Sequence, residues 1–455
     1  MRDSTALKEV NTMSVKGSAT RGATGKLATV VCLLAVLAMS LAACRGFFGQ
    51  GPIALLVIDN GGDTEVPVVV TFDISGSNDP DGTIASFELD FGDGTTPESG
   101  ADVSVPILHT YTAAGTYTVL LTVTDNDGRV GMTNGVITIG PVMITFAAER
   151  GSDYDIYRMQ ADGSNQGAVY NTAEEELFPD LLRGTRDKIV YAAEDGVSWN
   201  IWTMTVTGGS RSQLTTQTGS NQIQPSWSSD GTTIVYASNA SQTPSTTTWE
   251  LYTMSAAGAS QTQLTSQSPS WAIAPSYSPV NDDIVFVSDS DGSGGTADGG
   301  SAIWLWDDSL GDAVILKDGP GRDGDASPAL TGLATGLDLP AGAGVSRPVW
   351  SPDGTKIAYA AEASIGGAIN IYVMDADGSG AETLEDYVDG LGVLNTDITT
   401  SDDEFCPYWL EDGSGLAFVK ADTGGDYQIY KVTFATGVIT ELTETGNNIQ
   451  PTSKQ

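Results

Sequence analysis

One unit recurs along residues 141–455, and a chain that repeats itself every 40–50 residues or so can bury its apolar faces only by stacking the copies against one another. The first half of the unit is Pro-x-aromatic-Ser-x-Asp-Gly followed by a strand. It reads QPSWSSDGTTIVYAS from Gln224, APSYSPVNDDIVFVS from Ala274, RPVWSPDGTKIAYAA from Arg347 and CPYWLEDGSGLAFVK from Cys406, with a degenerate copy, FPDLLRGTRDKIVYAA, from Phe178. The second half is an Ile-Tyr-like strand carrying a Met or Val and then a turn: DIYRMQADG from Asp155, NIWTMTVTG from Asn200, ELYTMSAAG from Glu250, AIWLWDDSLG from Ala302, NIYVMDADG from Asn370 and QIYKVTFATG from Gln428. A closing strand ending in Leu-Thr follows several copies, at Gln213, Gln263 and Glu441.

The landmark prolines Pro179, Pro225, Pro275, Pro348, Pro407 and Pro451 are spaced by 46, 50, 73, 59 and 44 residues. Four short strands fit the short spacings, and the two long ones predict inserted loops. Gly- and Asp-rich insertions lie at 289–301 and 318–346. Six second halves predict six blades. The first copy, MITFAAERGSDYDIYRMQADG, lacks its opening half, and the C-terminal NNIQPTSKQ has only that half. Residues 447–455 are therefore predicted to supply the inner strand of the first blade, which leaves no unpaired inner edge where the ring meets. The pattern resembles the β-propeller of TolB and related periplasmic proteins, and that of prolyl oligopeptidases. The aromatics Trp227, Tyr277, Trp350 and Trp409 are expected to pack blade on blade, and Asp230-Gly231, Asp353-Gly354 and Asp412-Gly413 to make turns.

Residues 53–140 read differently. PVVVTFDIS, ASFELDFG, VSVPILHTY and GTYTVLLTVTD alternate apolar and polar residues with period two and end in Gly, Asp or Pro, the pattern of a small antiparallel sandwich. SNDPDGTI, FGDG, HTYTAAGTYTV and LTVTDNDG resemble, in order, the motifs of the polycystic kidney disease (PKD) domain, with Leu89 in place of that family's usual Trp. The resemblance implies an immunoglobulin-like fold serving as spacer or adhesive module, and in some members calcium held by residues matching Asp79, Asp81 and Asp125. Plain turn chemistry is the alternative for these three. His109, the one His of the chain, falls in the His-Thr-Tyr motif, where packing or hydrogen bonding is expected.

The N-terminus carries Arg2, Lys8, Lys16, Arg21 and Lys26 ahead of an uncharged apolar run from Leu27. Leu41-Ala42-Ala43-Cys44 resembles the bacterial lipobox, which implies a signal peptide over 1–43, a lipidated Cys44 and a linker over 44–52. Arg45, rather than Asp, follows the Cys and favours the outer membrane, facing the periplasm or the cell surface. Loss of 1–43 removes five positive and two negative charges and takes the net charge from −38 to −41. Cys32 leaves with the leader and Cys44 takes lipid, so Cys406 has no partner for an intrachain disulfide.

The expected fold class is thus all-β, an immunoglobulin-like β-sandwich (53–140) followed by a six-bladed β-propeller (141–455) closed by the C-terminal strand. With 58 acidic residues against 20 basic, the folded part repels nucleic acid and anionic headgroups; the membrane is a partner through the lipid anchor alone. The propeller segment holds no His, and the chain has no Gly-x-Ser-x-Gly elbow. The reading is a non-catalytic scaffold for an envelope or extracellular protein. Alternatives are a carbohydrate binder using Trp249, Trp271, Trp304 and Trp306, or a propeller glycosidase or lyase working with carboxylates. Arg347, just before a landmark proline at the start of an inner strand, is the candidate for meeting an anionic ligand at the central channel. Asp289 and Asp291 form a weaker cation motif.

Overall fold

The computed structural model describes residues 49–61, 65–151, 153–182, 187–240, 249–266, 271–289, 301–317, 347–362, 368–392, 403–421 and 425–453. Seven strands form the sandwich: β1 (Val57–Asp59), β2 (Val68–Asp73), β3 (Ile84–Asp90), β4 (Glu98–Gly100), β5 (Ile107–Tyr111), β6 (Gly115–Asp125) and β7 (Val130–Ile139). One sheet is ordered β1-β2-β5 and the other β4-β3-β6-β7. The period-two pattern does what it predicts: Val68, Val70 and Phe72 of β2 face Leu89 of β3 and Val119, Leu121 and Val123 of β6 across one core.

The propeller follows as six four-stranded antiparallel sheets. Blade 1 contains β8 (Met143–Glu149), β9 (Tyr154–Gln160) and β10 (Gly167–Tyr170). Blade 2 is β11 (Glu176–Leu181), β12 (Lys188–Glu194), β13 (Trp199–Thr205) and β14 (Ser212–Gln213). Blade 3 is β15 (Gln222–Trp227), β16 (Thr233–Ser238), β17 (Glu250–Ser255) and β18 (Thr262–Gln263). Blade 4 is β19 (Ala272–Tyr277), β20 (Ile284–Asp289), β21 (Ser301–Asp307) and β22 (Asp312–Lys317). Blade 5 is β23 (Val349–Trp350), β24 (Lys356–Glu362), β25 (Ile369–Asp375) and β26 (Glu382–Thr383), and blade 6 is β27 (Glu404–Trp409), β28 (Gly415–Ala421), β29 (Tyr427–Thr433) and β30 (Val438–Glu441). The last strand, β31 (Asn448–Ser453), returns to blade 1 and pairs with β8, Asn448 opposite Ala148 and Ser453 opposite Ile144.

Each part of the repeat has a physical task. The Ile-Tyr strand sets an aromatic ring directly opposite one on the neighbouring strand. Tyr236 faces Tyr252, Tyr359 faces Tyr372 and Phe418 faces Tyr430, with centroids 5.9, 5.6 and 6.0 Å apart. Such pairs stabilise by about 0.5–1.5 kcal/mol beyond their burial. The Leu-Thr ending closes the blade. Thr215 Oγ1 accepts from Ile201 N at 2.8 Å and donates to Asn200 Oδ1; Thr265 does the same with Leu251 N and Glu250, and Thr443 with Ile429 N and Gln428. In blade 5 a short helix, α1 (Leu384–Gly390), capped by Thr383, takes the place of that ending.

The aromatic of the first half ties each blade to the one before it. Trp350 Nε1 donates to Ser276 O and Trp409 Nε1 to Val349 O, while the backbone N–H of Trp227 donates to Asp180. The turn glycine of the second half is required by close approach. Gly208 lies at φ 79°, and a Cβ there would fall 2.1 Å from Val169 O of the preceding blade. Gly163, Gly258 and Gly378 meet the preceding blade in the same way.

Sandwich and propeller are joined by only Gly140, Pro141 and Val142, and both belong to the compact unit Gly51–Gln455. Val142 is buried in the sandwich core, and its carbonyl accepts from Ala161 N of blade 1 at 3.0 Å. Arg158 of β9 grips Glu65 with one nitrogen 3.0 and 3.2 Å from its two carboxylate oxygens. A bridge between Glu65 and Gly140 completes the joint.

Two outcomes follow. Gly208→Ala should cost several kcal/mol in denaturant unfolding, whereas Gly311→Ala, at φ 64° with nothing within 4 Å, should cost only about 1 kcal/mol for the left-handed backbone. Deletion of residues 447–455 should lower the thermal midpoint by about 10 °C or more, since it strips the inner strand and its buried Ile449 from blade 1.

Candidate functional site

Of the six residues before the landmark prolines, five, Phe178, Gln224, Arg347, Cys406 and Gln450, line the mouth of the channel together with Tyr408. Five of the six, Phe178, Gln224, Ala274, Cys406 and Gln450, adopt left-handed backbone with φ between 49° and 57°. The cause is a bulge. Each of these inner strands holds one more residue than its partner across the X-Pro step, as between Ile223 and Ser226 opposite Ala237 and Val235. The bulge turns the X residue's N–H out of the strand ladder, and the preceding blade supplies an acceptor. Gln450 Oε1 accepts from Phe178 N at 2.7 Å, and Gln224 Oε1 from Ala274 N at 2.9 Å. The backbone of Gln450 hydrogen-bonds Cys406. Burial pushes the Cys406 thiol up to about 12, so it behaves as a packed apolar group rather than a nucleophile.

Arg347 breaks the pattern. Its guanidinium reaches past its own neighbours, from blade 5 to Asp180 of blade 2 at 3.1 Å and to Pro225 O of blade 3 at 3.1 Å, and lies 5.9 Å from the ring centre of Tyr408. The channel mouth is the place foreseen for this residue, but its charge is already matched by a carboxylate of the chain. The side chain lies in the channel mouth. What remains there is a cavity of about 30 Å³, room for one or two waters.

A second cluster lies between blades 1 and 2 and was not foreseen. Asp155 is the second residue of β9, Glu176 opens β11, both are buried, and their carboxyls hydrogen-bond each other. At two other junctions the equivalent positions hold neutral pairs, Asn200 with Gln222 and Gln428 with Asn448, the latter joined at 2.8 Å. Burial, then repulsion from Asp155, pushes the Glu176 carboxyl up to about 8, so the pair shares one proton. Thr172 donates to Glu176 at 2.7 Å. Arg211 stands 3.8 Å from Glu176, bonds Glu174 at 2.9 Å, and stacks 4.0 Å from the Trp202 ring centre.

The carboxyls of Asp79, Asp81 and Asp125, offered for calcium, lie close enough that Asp81 and Asp125 act on Asp79. Asp125 is buried, and its Oδ1 is consumed by the N–H groups of Asp127 and Arg129 at 2.9 and 2.7 Å. The Arg129 guanidinium stands 3.6 Å from its Oδ2 and supplies the positive charge. Desolvation and repulsion from Asp81 and Asp125 raise the Asp79 carboxyl. Among the described residues no group of three His, Cys, Asp or Glu is disposed to hold a metal ion. Asp125 holds its turn through those two N–H groups. His109 bonds Asp93 at 2.7 Å and stacks on Phe91 at 3.9 Å, a packing role on β5.

Trp249 and Trp271, offered as sugar-stacking residues, are buried in the propeller core and cannot present a face to a ligand; Trp304 and Trp306 are half-buried. Cys44, Asp291, most of the 289–301 loop and the whole of 318–346 lie outside the described residues, as does the side chain of Asp289.

The shared proton has a measurable consequence. Glu176 holds its proton in the folded chain up to about pH 8, whereas the unfolded chain releases it near 4.5. This contribution to stability is full below about pH 4.5 and is lost as the pH climbs through 8. Glu176→Gln should match the parent near pH 5 and exceed it at pH 9 by about 2 kcal/mol or more in denaturant unfolding. Parallel stability profiles for the two chains would remove the proton from the account.

Comparison with known proteins places both halves. Residues 53–139 match the PKD domain family, and residues 139–296 match the TolB beta propeller domain family. Collagenase ColA of Clostridium perfringens is 30% identical over 127 residues, 27% of this chain and 11% of the collagenase, so the chain spans about a tenth of that curated relative. The PKD1 domain of Vibrio anguillarum Epp is 30% identical, with 20% of this chain and 98% of that domain covered and a TM-score of 0.17. TolB from Acinetobacter baumannii superposes with a TM-score of 0.50 at 17% identity, over 75% of this chain and 80% of that one, a likeness of fold. The chain therefore carries a PKD domain followed by a TolB-like β-propeller.

Proposed function

We propose that the protein is a cell-envelope lipoprotein of the outer membrane, and that its propeller acts as a non-catalytic scaffold for a protein partner while the PKD domain serves as spacer. The observation that carries this reading is the narrow channel mouth. Arg347, held by Asp180, lies in it beside a cavity of only about 30 Å³, so binding falls to the faces and rim of the ring. Those are broad surfaces suited to another protein rather than to a buried reaction. The one His of the chain is engaged by Asp93 in the sandwich. The short, hydrogen-bonded joint between the domains suits a spacer that holds the propeller in a set direction.

The fold likeness to TolB and the lipobox-like Leu41-Ala42-Ala43-Cys44 support an envelope location. Cys44→Ala is expected to abolish incorporation of a fatty-acid probe and release the chain from membranes; persistent labelling would sink the anchor. Cross-linking of the lipidated protein in intact cells, followed by mass spectrometry, is expected to capture a discrete protein. Recovery of the monomer alone overturns the scaffold reading.

A further inference from the structure

The X-Pro bulges orient two carboxamides at the channel mouth. Phe178 N and Ala274 N can only donate, so the atoms that meet them, Gln450 Oε1 at 2.7 Å and Gln224 Oε1 at 2.9 Å, must be oxygens. The amide nitrogens of both side chains therefore point the other way. Gln224 is 1% exposed, and its buried Nε2 has no acceptor. An amide donor left bare away from bulk water is costly, and such groups in folded chains find a partner. Gln224 and Gln450 both line the cavity at the channel mouth.

Arg347 adds a third source of donors to that lining. Its guanidinium gives one N–H to Pro225 O and one to Asp180, which leaves further N–H groups of the fork unspent. Asp180 is not among the lining residues, and both its oxygens are taken, Oδ1 by Arg347 and Oδ2 by Trp227 N. In a chain with 58 acidic residues, no Asp or Glu lines the cavity among the described residues. Burial keeps the neighbouring Cys406 thiol protonated, so it adds no negative charge. The donors come from three blades: Gln450 on β31 of blade 1, Gln224 on β15 of blade 3, and Arg347 just ahead of β23 of blade 5. Pro179, Pro407, Pro451 and Phe178 wall the space between them. A water there would bring hydrogens of its own to amide and guanidinium groups that are themselves donors. An anion brings none.

We infer that the mouth of the propeller channel holds one halide ion, between the Nε2 groups of Gln224 and Gln450 and the guanidinium of Arg347. The size follows from the cavity, whose 30 Å³ or so admits a single ion and little more. Such an ion ties β31, the strand that closes the ring, to blades 3 and 5. It sits within the ring and names no partner protein, so it stands or falls apart from the scaffold reading. Only the folded ring brings the three groups together, so the ion stabilises the folded chain more as its concentration rises.

The test melts the full-length protein in detergent at about pH 8 and constant ionic strength, while sodium chloride replaces sodium gluconate, whose anion is too large for the cavity. The thermal midpoint is expected to rise by about 2 °C or more by about 300 mM chloride. Gln224→Glu keeps an oxygen for Ala274 N and turns a second one to the cavity, and Gln450→Glu does the same beside Phe178 N. Each should abolish the rise. Gln261→Glu, which adds the same charge at an exposed position, should retain it. No difference between the two salts overturns the inference, and so does a chloride response that survives in both cavity variants. A crystal of the parent chain soaked in sodium bromide locates the ion without any substitution. Anomalous density is expected between Gln224 and Arg347. A water in its place, or bromide only elsewhere, overturns the site even where a cavity variant fails to fold.

Discussion

The pairing of β31 with β8 is the constraint on which the propeller depends. Five blades are built from consecutive strands, so each can form as its own stretch of chain becomes available. Blade 1 cannot, because its inner strand lies about 300 residues from β8. Bringing the two together costs loop-closure entropy that the other blades avoid. That cost is offset by burial of Ile449 and by a set of polar contacts across the joint. Arg150 donates to Asn448 Oδ1 at 2.6 Å, and Asn447 donates to Glu149 at 2.6 Å. Gln450 then passes the connection on to blade 2 through Phe178 N. The last strand is thus both the seal of one blade and a link in the belt around the channel.

That belt shows how a ring of sheets handles its polar groups. A bulge in an inner strand frees a backbone N–H in a place closed to bulk water, and such a donor must find a partner. Gln224 and Gln450 solve the problem with the same side chain in the same position. Asp180 takes the Trp227 N–H and also holds Arg347. Local necessity of this kind produces a channel whose side chains are held in place by one another. The surfaces left for a protein partner are the faces and rim of the ring.

The architecture was legible because it rests on patterns that sequence displays directly. Prolines and Asp-Gly turns at regular spacing gave the blades, the orphaned half-repeat NNIQPTSKQ gave the closure, and alternating strands with Asp-rich turns gave the sandwich. Pairings between distant blades were not legible. Nothing in the string Ser346-Arg347-Pro348 reveals that the guanidinium passes its neighbours to meet Asp180, so its position was foreseen and its partner was not. Trp249 and Trp271 lie outside the Pro-x-aromatic motif and read as free, yet they fill the core; burial there comes from ring packing that no local pattern records. The sequence around Asp125 reads two ways, because the residue that serves a turn is the same residue that serves calcium. The carboxyl pair Asp155 and Glu176 had a visible signal, acids at two positions where other junctions carry amides, but it becomes meaningful only when the two positions are known to touch.

The joint at Gly140, Pro141 and Val142 delivers the chain from the sandwich into β8, the strand that receives β31. Any pull transmitted through the sandwich therefore arrives beside the one inner strand that no short covalent turn fastens to its blade. Mechanical load and topological weakness coincide in blade 1, and the Arg158–Glu65 clasp, by sharing that load with β9, relieves the seal.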